Sequence, residues 1–157
     1  MAIVHARVDE RLIHGQVAMV WTNTLGSDRI LVANDAAVKD EIQIGALKMA
    51  KPTGVKLSIL SVNKAIENIN SGKYDGDKVF VITRNIPDMA RLVRGTEIKR
   101  FNVGNVSKTG DAIPIKKSVS LTSEDVALLR ELMAEGIEIT AQMLPSESAE
   151  SIAKLLP

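Results

Sequence analysis

A short segment of the chain brings together three side chains with complementary chemistry. Asp9, Arg11 and His14 fall within six residues of one another. A neutral imidazole is nucleophilic near neutral pH, because the unperturbed pKa of histidine is about 6.5. The planar guanidinium of an arginine can donate to two phosphoryl oxygens and neutralise their charge. The segment therefore predicts a site where His14 accepts a phosphoryl group and Arg11 binds it.

The two residues that follow His14 extend this candidate site. Gly15 has no Cβ at a place where phosphoryl oxygens must approach. Gly15 and Gln16 also open the next predicted helix, where free backbone N–H groups point at an anion with the helix dipole behind them. We therefore predict that Gly15 and Gln16 contribute to phosphate binding.

The same residues allow other interpretations. A lone histidine near a strand end is often a capping or hydrogen-bonding residue. Asp9 either orients the imidazole or Arg11, or it caps the loop, and its negative charge argues against direct phosphate contact. His5 alternates with the apolar Val4 and Ala6, so we expect it to be structural. Two alternative functions are a non-catalytic module that binds a small anion and a regulatory protein of the same fold.

Composition excludes several function classes. The chain has no cysteine, so it has neither a thiolate nucleophile nor a cysteine-ligated metal site, and the sequence predicts no metal and no cofactor. Its net charge is +1, and the aromatic residues are one Trp, one Tyr and two Phe. Nucleic-acid binding needs clustered positive charge or aromatic platforms for base stacking. We therefore expect no nucleic-acid partner.

The elements that must position these residues alternate along the chain. Apolar, β-branched segments predict strands at Ile3 to Val8, Ile30 to Ala33, Leu57 to Leu60, Val79 to Thr83, Phe101 to Val103 and Ile137 to Ala141. Segments with helical spacing lie between most of them. This alternation predicts an α/β fold, a three-layer α/β/α sandwich whose mostly parallel central sheet has six to seven strands. We expect residues 1–157 to form a single domain.

Local signals predict several element ends. Gly26, Gly72, Gly95 and Gly136 stand where left-handed helix caps are expected, and Thr122 is placed to cap a helix that runs to about Glu135. We expect one loop over Gly104 to Lys117, a strand over Ser118 to Leu121, and a last helix from Ser146 to about Leu156. The sequence has no apolar run of roughly 20 residues and no secretory signal, which predicts a cytoplasmic protein.

The segment from Arg7 to Val17, with the sequence RVDERLIHGQV, resembles the phosphorylation-site signature of a known family. This family comprises the IIB components of the bacterial phosphotransferase system for mannose, fructose, sorbose and N-acetylgalactosamine. The resemblance continues at Arg29 to Asp35 and at Phe101 to Gly104. Family members often have a second glycine after Gly104, whereas this chain has Asn105.

The resemblance implies a relay role and a set of partners. A IIA phosphocarrier protein or domain donates a phosphoryl group to Nδ1 of His14. The group then passes to a sugar held by the membrane components IIC and IID. The resemblance also implies peripheral association with the membrane transporter and association with IIA or with further copies of the chain. Sugar specificity belongs mainly to the membrane components.

Overall fold

Strands and helices alternate along the chain, as predicted. The computed structural model describes residues 3–157. Its strands are β1 (Ile3–Asp9), β2 (Arg29–Ala33), β3 (Lys56–Leu60), β4 (Val79–Thr83), β5 (Arg100–Asn105), β6 (Ile113–Lys116), β7 (Val119–Leu121), β8 (Glu138–Ala141) and β9 (Glu150–Ser151). Its α-helices are α1 (Gly15–Leu25), α2 (Glu41–Ala50), α3 (Val62–Asn70), α4 (Ile86–Gly95) and α5 (Ser123–Ala134). Within this range, no helix is both long and apolar enough to span a bilayer.

A seven-stranded sheet forms the middle layer of the molecule. The strand order is β3-β2-β4-β1-β5-β8-β9, and only β9 pairs antiparallel with its neighbour. Strand β1 is central, with Val8 opposite Thr83 of β4 on one side and Val103 of β5 on the other. The predicted α/β fold with a mostly parallel sheet is therefore confirmed, and the loop after β1 leaves the sheet near its middle.

Helices cover both faces of the sheet, because alternate strand residues feed two separate cores. Ile30 and Val32 of β2 join a cluster with Trp21 of α1 and Leu47 of α2. The intervening β2 residues join the second cluster, which contains buried residues of α3, α4 and α5. Each large apolar side chain buried in these layers contributes about 1.5–3 kcal/mol. The cores on the two faces of the sheet therefore fix the position of β1.

The stretch predicted as one loop, Gly104 to Lys117, contains regular structure. Strand β5 continues to Asn105, and β6 pairs antiparallel with β7 in a separate two-stranded ribbon. Pro114 conceals β6 in the sequence, because proline has no N–H to donate to a ladder. A two-stranded ribbon tolerates it, since one side of each strand needs no partner. The strand predicted at Ser118 to Leu121 exists as β7, outside the central sheet.

The predicted last helix, from Ser146 to Leu156, is wrong. The chain instead forms β9 against β8 and then a 3-10 turn at Ile152–Lys154. Ile152, Leu155 and Leu156 have helical spacing, and Ile152 is fully buried. One short turn is enough to bring these side chains to the core. The residues just before this turn pair with the open edge of β8 and form strand β9.

Apart from that last helix, the predicted helix caps are confirmed with one exception. Gly26, Gly72 and Gly136 have φ values of 65°, 79° and 94°, the left-handed conformation expected of a cap. The Thr122 side chain accepts a hydrogen bond from the Asp125 backbone N–H at 3.1 Å. Gly95 is instead the last residue of α4, and a Cβ there would lie 2.9 Å from Cδ1 of Ile66. This glycine therefore permits close packing between α4 and α3.

Candidate functional site

His14 lies at the junction between the loop after β1 and helix α1. It is the N-cap residue, in an extended conformation with φ −117° and ψ 111°, and its side chain makes no capping hydrogen bond. His14, Gly15 and Gln16 are all exposed. The first intrahelical bond runs from the Ala18 N–H to the His14 carbonyl at 2.9 Å. The N–H groups of the residues in between therefore precede the helical ladder, beside an accessible imidazole.

The loop before His14 is held in shape by a turn and by two buried side chains. The Leu12 N–H donates to the Asp9 carbonyl at 2.9 Å, which closes the turn. Leu12 has a φ of 59°, a left-handed conformation that costs a residue with a Cβ about 1–2 kcal/mol. Burial of Leu12 and Ile13 in the core beneath α1 offsets that cost. Packing of Leu12 and Ile13 thus fixes the position of the loop that carries His14.

Asp9 organises the beginning of this loop. It is almost fully buried, and its Oδ1 accepts a hydrogen bond from the Arg11 backbone N–H at 3.0 Å. The same oxygen lies 3.5 Å from Nε of Arg11, whose side chain is 34% exposed. The other carboxylate oxygen lies 3.4 Å from Nη2 of Arg7. Asp9 therefore contacts both the backbone and the side chain of Arg11.

Arg7 is a part of the site that the sequence analysis did not assign. It is 1% exposed, and besides Asp9 it contacts the Gln142 carbonyl, at 3.0 Å from Nη1, and Sδ of Met143. Its guanidinium carbon also lies 5.3 Å from the centre of the Trp21 ring. Burial lowers the pKa of Arg7, and the Asp9 carboxylate opposes that shift. The sequence signal that could have identified Arg7 is its position as a charged residue between two apolar residues of a predicted strand.

Gly104 is required by Arg7 and not by an unusual backbone angle. A Cβ at Gly104 would overlap the guanidinium carbon of Arg7. Gly15 differs, because a Cβ there would meet nothing within 4 Å. The structure therefore gives a steric reason for glycine at position 104, whereas the space beside Gly15 is open.

The end of β5 is tied to the loop. The Glu10 N–H donates to the Asn105 carbonyl at 3.0 Å, and the Glu10 carboxylate accepts hydrogen bonds from the Ser107 N–H and hydroxyl. The Asn105 amide pairs with two groups when its oxygen faces Nε of Arg11, at 2.8 Å, and its nitrogen faces the Ser118 carbonyl, at 3.2 Å. The end that faces Arg11 also lies 3.4 Å from Oδ1 of Asp9. Strand β5 and the ribbon behind it thus brace the side chain of Arg11.

Polar residues at the ends of the neighbouring strands have local structural roles. The Asn34 side chain accepts from the Ala37 N–H at 2.8 Å, and Asn85 caps α4 through the Asp88 N–H at 2.8 Å. Asp35 accepts from the Val62 N–H, and this bond is the main cause of a lowered Asp35 pKa. Across residues 3–157, no three potential ligands are grouped closely enough to hold a metal ion.

His5 lies on β1, away from the loop. Its ring stacks on Trp21 with a centroid distance of 4.7 Å and an interplanar angle of 15°. Burial, together with the charges of Arg7 and Arg100, lowers the pKa of His5 to about 4. His5 is therefore neutral at pH 7 and packs as an aromatic ring.

Comparison with known proteins places this fold and site in context. The family described as "PTS system sorbose subfamily IIB component" matches residues 3–157. The sorbose-specific EIIB component of Lacticaseibacillus casei is 38% identical over 157 residues, which cover 99% of this chain and 96% of that protein. The N-acetylgalactosamine-specific enzyme IIB component 2 of Escherichia coli is 35% identical, with 98% of each chain covered.

A solved structure gives the same result for the fold. The crystal structure of the IIB domain of the sorbose permease from Klebsiella pneumoniae superposes with a TM-score of 0.92 at 32% identity, covering 98% of this chain and 95% of that one. The fold and the sequence matches define a phosphocarrier of the phosphotransferase system. The chain belongs to the sorbose subfamily of IIB components, which are protein-phosphohistidine–sugar phosphotransferases of sugar uptake. As a IIB component it interacts with IIA and with membrane IIC and IID components.

Proposed function

We propose that His14 is the residue of this IIB carrier that accepts and passes on the phosphoryl group. The observation that carries the proposal is the position of His14, an exposed imidazole at the N-terminus of α1 on a loop fixed by buried neighbours. His5, the other histidine, is half-buried and stacks on Trp21. Accessibility to two successive partners therefore favours His14.

The chemistry is a transfer between nitrogen atoms. A lone pair on Nδ1 of neutral His14 forms a bond to phosphorus, while the phosphorus–nitrogen bond of the phosphorylated IIA histidine breaks and its electron pair returns to that ring. The proton on the far ring nitrogen of each histidine stays in place. In the second transfer a sugar hydroxyl oxygen attacks phosphorus, the electron pair returns to His14, and the hydroxyl proton leaves to a base.

Three groups in the same short segment of the chain as His14 are suited to binding the transferring phosphoryl group. Arg11 supplies a guanidinium that Asp9 holds through the backbone and the side chain. Gly15 and Gln16 supply backbone N–H groups at the positive end of α1. Phosphoryl transfer through a loose transition state depends on positioning and charge stabilisation more than on acid or base groups. This sparse set of donors is sufficient for that chemistry.

Exposure of His14 also suits a relay among partners. The phosphoryl group arrives from IIA and leaves to a sugar bound by IIC and IID, so neither encounter can be tight enough to exclude the other. Residues 1–157 form one IIB domain in this scheme. It works in the cytoplasm, associates peripherally with the transporter, and also associates with IIA or with further copies of itself.

Intact-protein mass tests the proposed function. The chain is incubated with phosphoenolpyruvate, the general phosphotransferase proteins and the matching IIA. We expect the gain of one phosphoryl group, which acid treatment removes because phosphohistidine is acid-labile. A non-catalytic anion-binding module would gain none. A membrane preparation that contains IIC and IID should then discharge the phosphorylated protein only when the transported sugar is present, and a regulatory protein would stay phosphorylated.

A further inference from the structure

We propose that Asn105 is a positioning residue for phosphoryl transfer, acting by fixing the plane of the Arg11 guanidinium. The inference rests on the proposed function, in which Arg11 binds the group that His14 receives. Asn105 is the last residue of β5 and lies opposite Asp9, the last residue of β1. Its backbone carbonyl accepts from the Glu10 N–H at 3.0 Å, so its side chain is held alongside the turn that carries Arg11.

The contacts of the Asn105 amide define its orientation. One end of the amide lies 2.8 Å from Nε of Arg11 and the other lies 3.2 Å from the Ser118 carbonyl oxygen. Nε of arginine only donates and a carbonyl oxygen only accepts. The end of the amide that faces Arg11 also lies 3.4 Å from Oδ1 of Asp9, a longer contact. The 2.8 Å contact with Nε and the 3.2 Å contact with the Ser118 carbonyl assign the oxygen to Arg11 and the nitrogen to Ser118. At 2.8 Å the bond to Arg11 is much shorter than the 3.5 Å separation between Arg11 Nε and Asp9 Oδ1.

The Asn105 amide is in turn fixed by the ribbon of β6 and β7. The Ser118 carbonyl, just before β7, accepts from the Val106 N–H at 2.9 Å as well as from Asn105. A carbonyl oxygen has two lone pairs, so both bonds can form together. Arg11, Asn105 and Ser118 thus form a chain of contacts from the loop to the ribbon.

A neutral acceptor has a particular advantage at this position. The carboxylate of Asp9 is shared with the buried cation of Arg7, so its negative charge is already compensated. An amide oxygen orients Arg11 without removing positive charge that a phosphoryl group requires. Nη2 of Arg11 is buried and has no hydrogen-bond partner among residues 3–157. The guanidinium therefore keeps unused donor capacity while its Nε is held.

The proposal is tested by asking whether the effect of Asn105 depends on Arg11. Phosphorylation of His14 is timed for wild type, Asn105→Ala, Arg11→Lys and the double variant, below all their melting temperatures. Two donors are used: phosphorylated IIA and phosphoramidate, a small molecule whose phosphorus–nitrogen bond breaks with ammonia as the leaving group. We expect Asn105→Ala to slow transfer about three- to tenfold with both donors. In the Arg11→Lys background, which lacks Nε, the same change should alter the rate less than about twofold.

Ser118→Ala is the matched control. It removes the Ser118 hydroxyl, which donates to the Gly104 carbonyl at 2.8 Å, and keeps the carbonyl that Asn105 uses. Its rate should match wild type. An unchanged rate in Asn105→Ala, an equal loss in both backgrounds, or a loss with IIA alone would overturn the positioning role. Wild-type protein that accepts no phosphoryl group from IIA would instead overturn the proposed function.

Discussion

Strand β1 carries one histidine in its interior and leads to another beyond its end, and the two have different surroundings. His5 stacks on Trp21, and burial is the main cause of its lowered pKa of about 4. His14, in the loop, is exposed and makes no capping hydrogen bond. The same side chain is therefore a neutral packing group at one position and an accessible ring, the proposed nucleophile, at the other. Residue type supplies the chemistry, and burial decides which histidine is available for it.

The largest expected effect separates the two histidines directly. His14→Ala should abolish phosphorylation by IIA, because it removes the only nucleophile proposed. His5→Ala should leave labelling nearly intact, because His5 packs away from the loop. Acid-labile phosphate per chain is the measurement, made on folded protein at equal concentrations. Substantial labelling of His14→Ala would show that His14 is not the residue that accepts the phosphoryl group.

Gly104 and Gly15 differ in the space that a side chain would have at each position. Gly104→Ala places a methyl group where the Arg7 guanidinium lies, which strains or displaces a buried cation. We expect the free energy of unfolding to fall by about 3 kcal/mol. Gly15→Ala adds a methyl group to open space and should change it by less than about 0.5 kcal/mol. Denaturant titration of both variants is the measurement, and equal losses would contradict the steric account.

The half-buried His5 should also make stability depend on pH. Unfolded His5 takes up a proton near pH 6.5, whereas folded His5 does so only near pH 4. Between these values the unfolded state binds more protons, so stability falls as the pH is lowered through this range. From pH 7 to pH 5 the contribution of His5 amounts to about 2 kcal/mol.

One variant isolates this contribution. His5→Phe keeps an aromatic ring beside Trp21 and removes the titrating group, so its unfolding free energy should lose about 2 kcal/mol less than that of wild type over the same pH range. Parallel pH profiles for wild type and His5→Phe would show that His5 is not the cause.

A smaller effect is expected at Arg11, which lies in the same loop as His14. Arg11→Lys keeps the charge and loses the planar fork. The rate of transfer from phosphorylated IIA should fall about tenfold or more, equivalent to at least about 1.4 kcal/mol of transition-state stabilisation. The melting temperature should hardly change, since the variant keeps the charge, the Nε–Oδ1 separation from Asp9 is as long as 3.5 Å, and Asp9 keeps Arg7 as a partner. A rate loss that follows a lower melting temperature would make Arg11 a fold residue.

How far the sequence predicts the structure depends on how local the signal is. The strands and the capped helix after Thr122 are confirmed, because their periodicities and caps lie within a few residues of each other. Strand β6 was hidden by Pro114, and the end of the chain became a strand because the edge of β8 was open to it. These outcomes depend on partners that are distant in the sequence.

The candidate site divides in the same way. His14, Arg11 and Asp9 were identifiable because their chemistry is concentrated in one short segment. Arg7 requires a glycine at position 104 and donates to the Gln142 carbonyl, 135 residues away in the sequence. Both contacts form only when the strands lie side by side in the folded sheet. Asn105 faces Arg11 for the same reason. Sequence spacing thus indicates the proposed nucleophile, whereas the fold is needed to find the contacts that hold the loop.

The position of Trp21 makes this region optically distinct. It is the only tryptophan in the chain, and its indole N–H donates to the Met143 carbonyl at 2.9 Å. Its ring also contacts His5 and lies beside Arg7, which is bound to Asp9 at the start of the loop. Tryptophan emission from this protein therefore originates wholly at the junction of β1, α1 and the segment after β8. Fluorescence excited at the red edge of protein absorption reports on that junction without any introduced label.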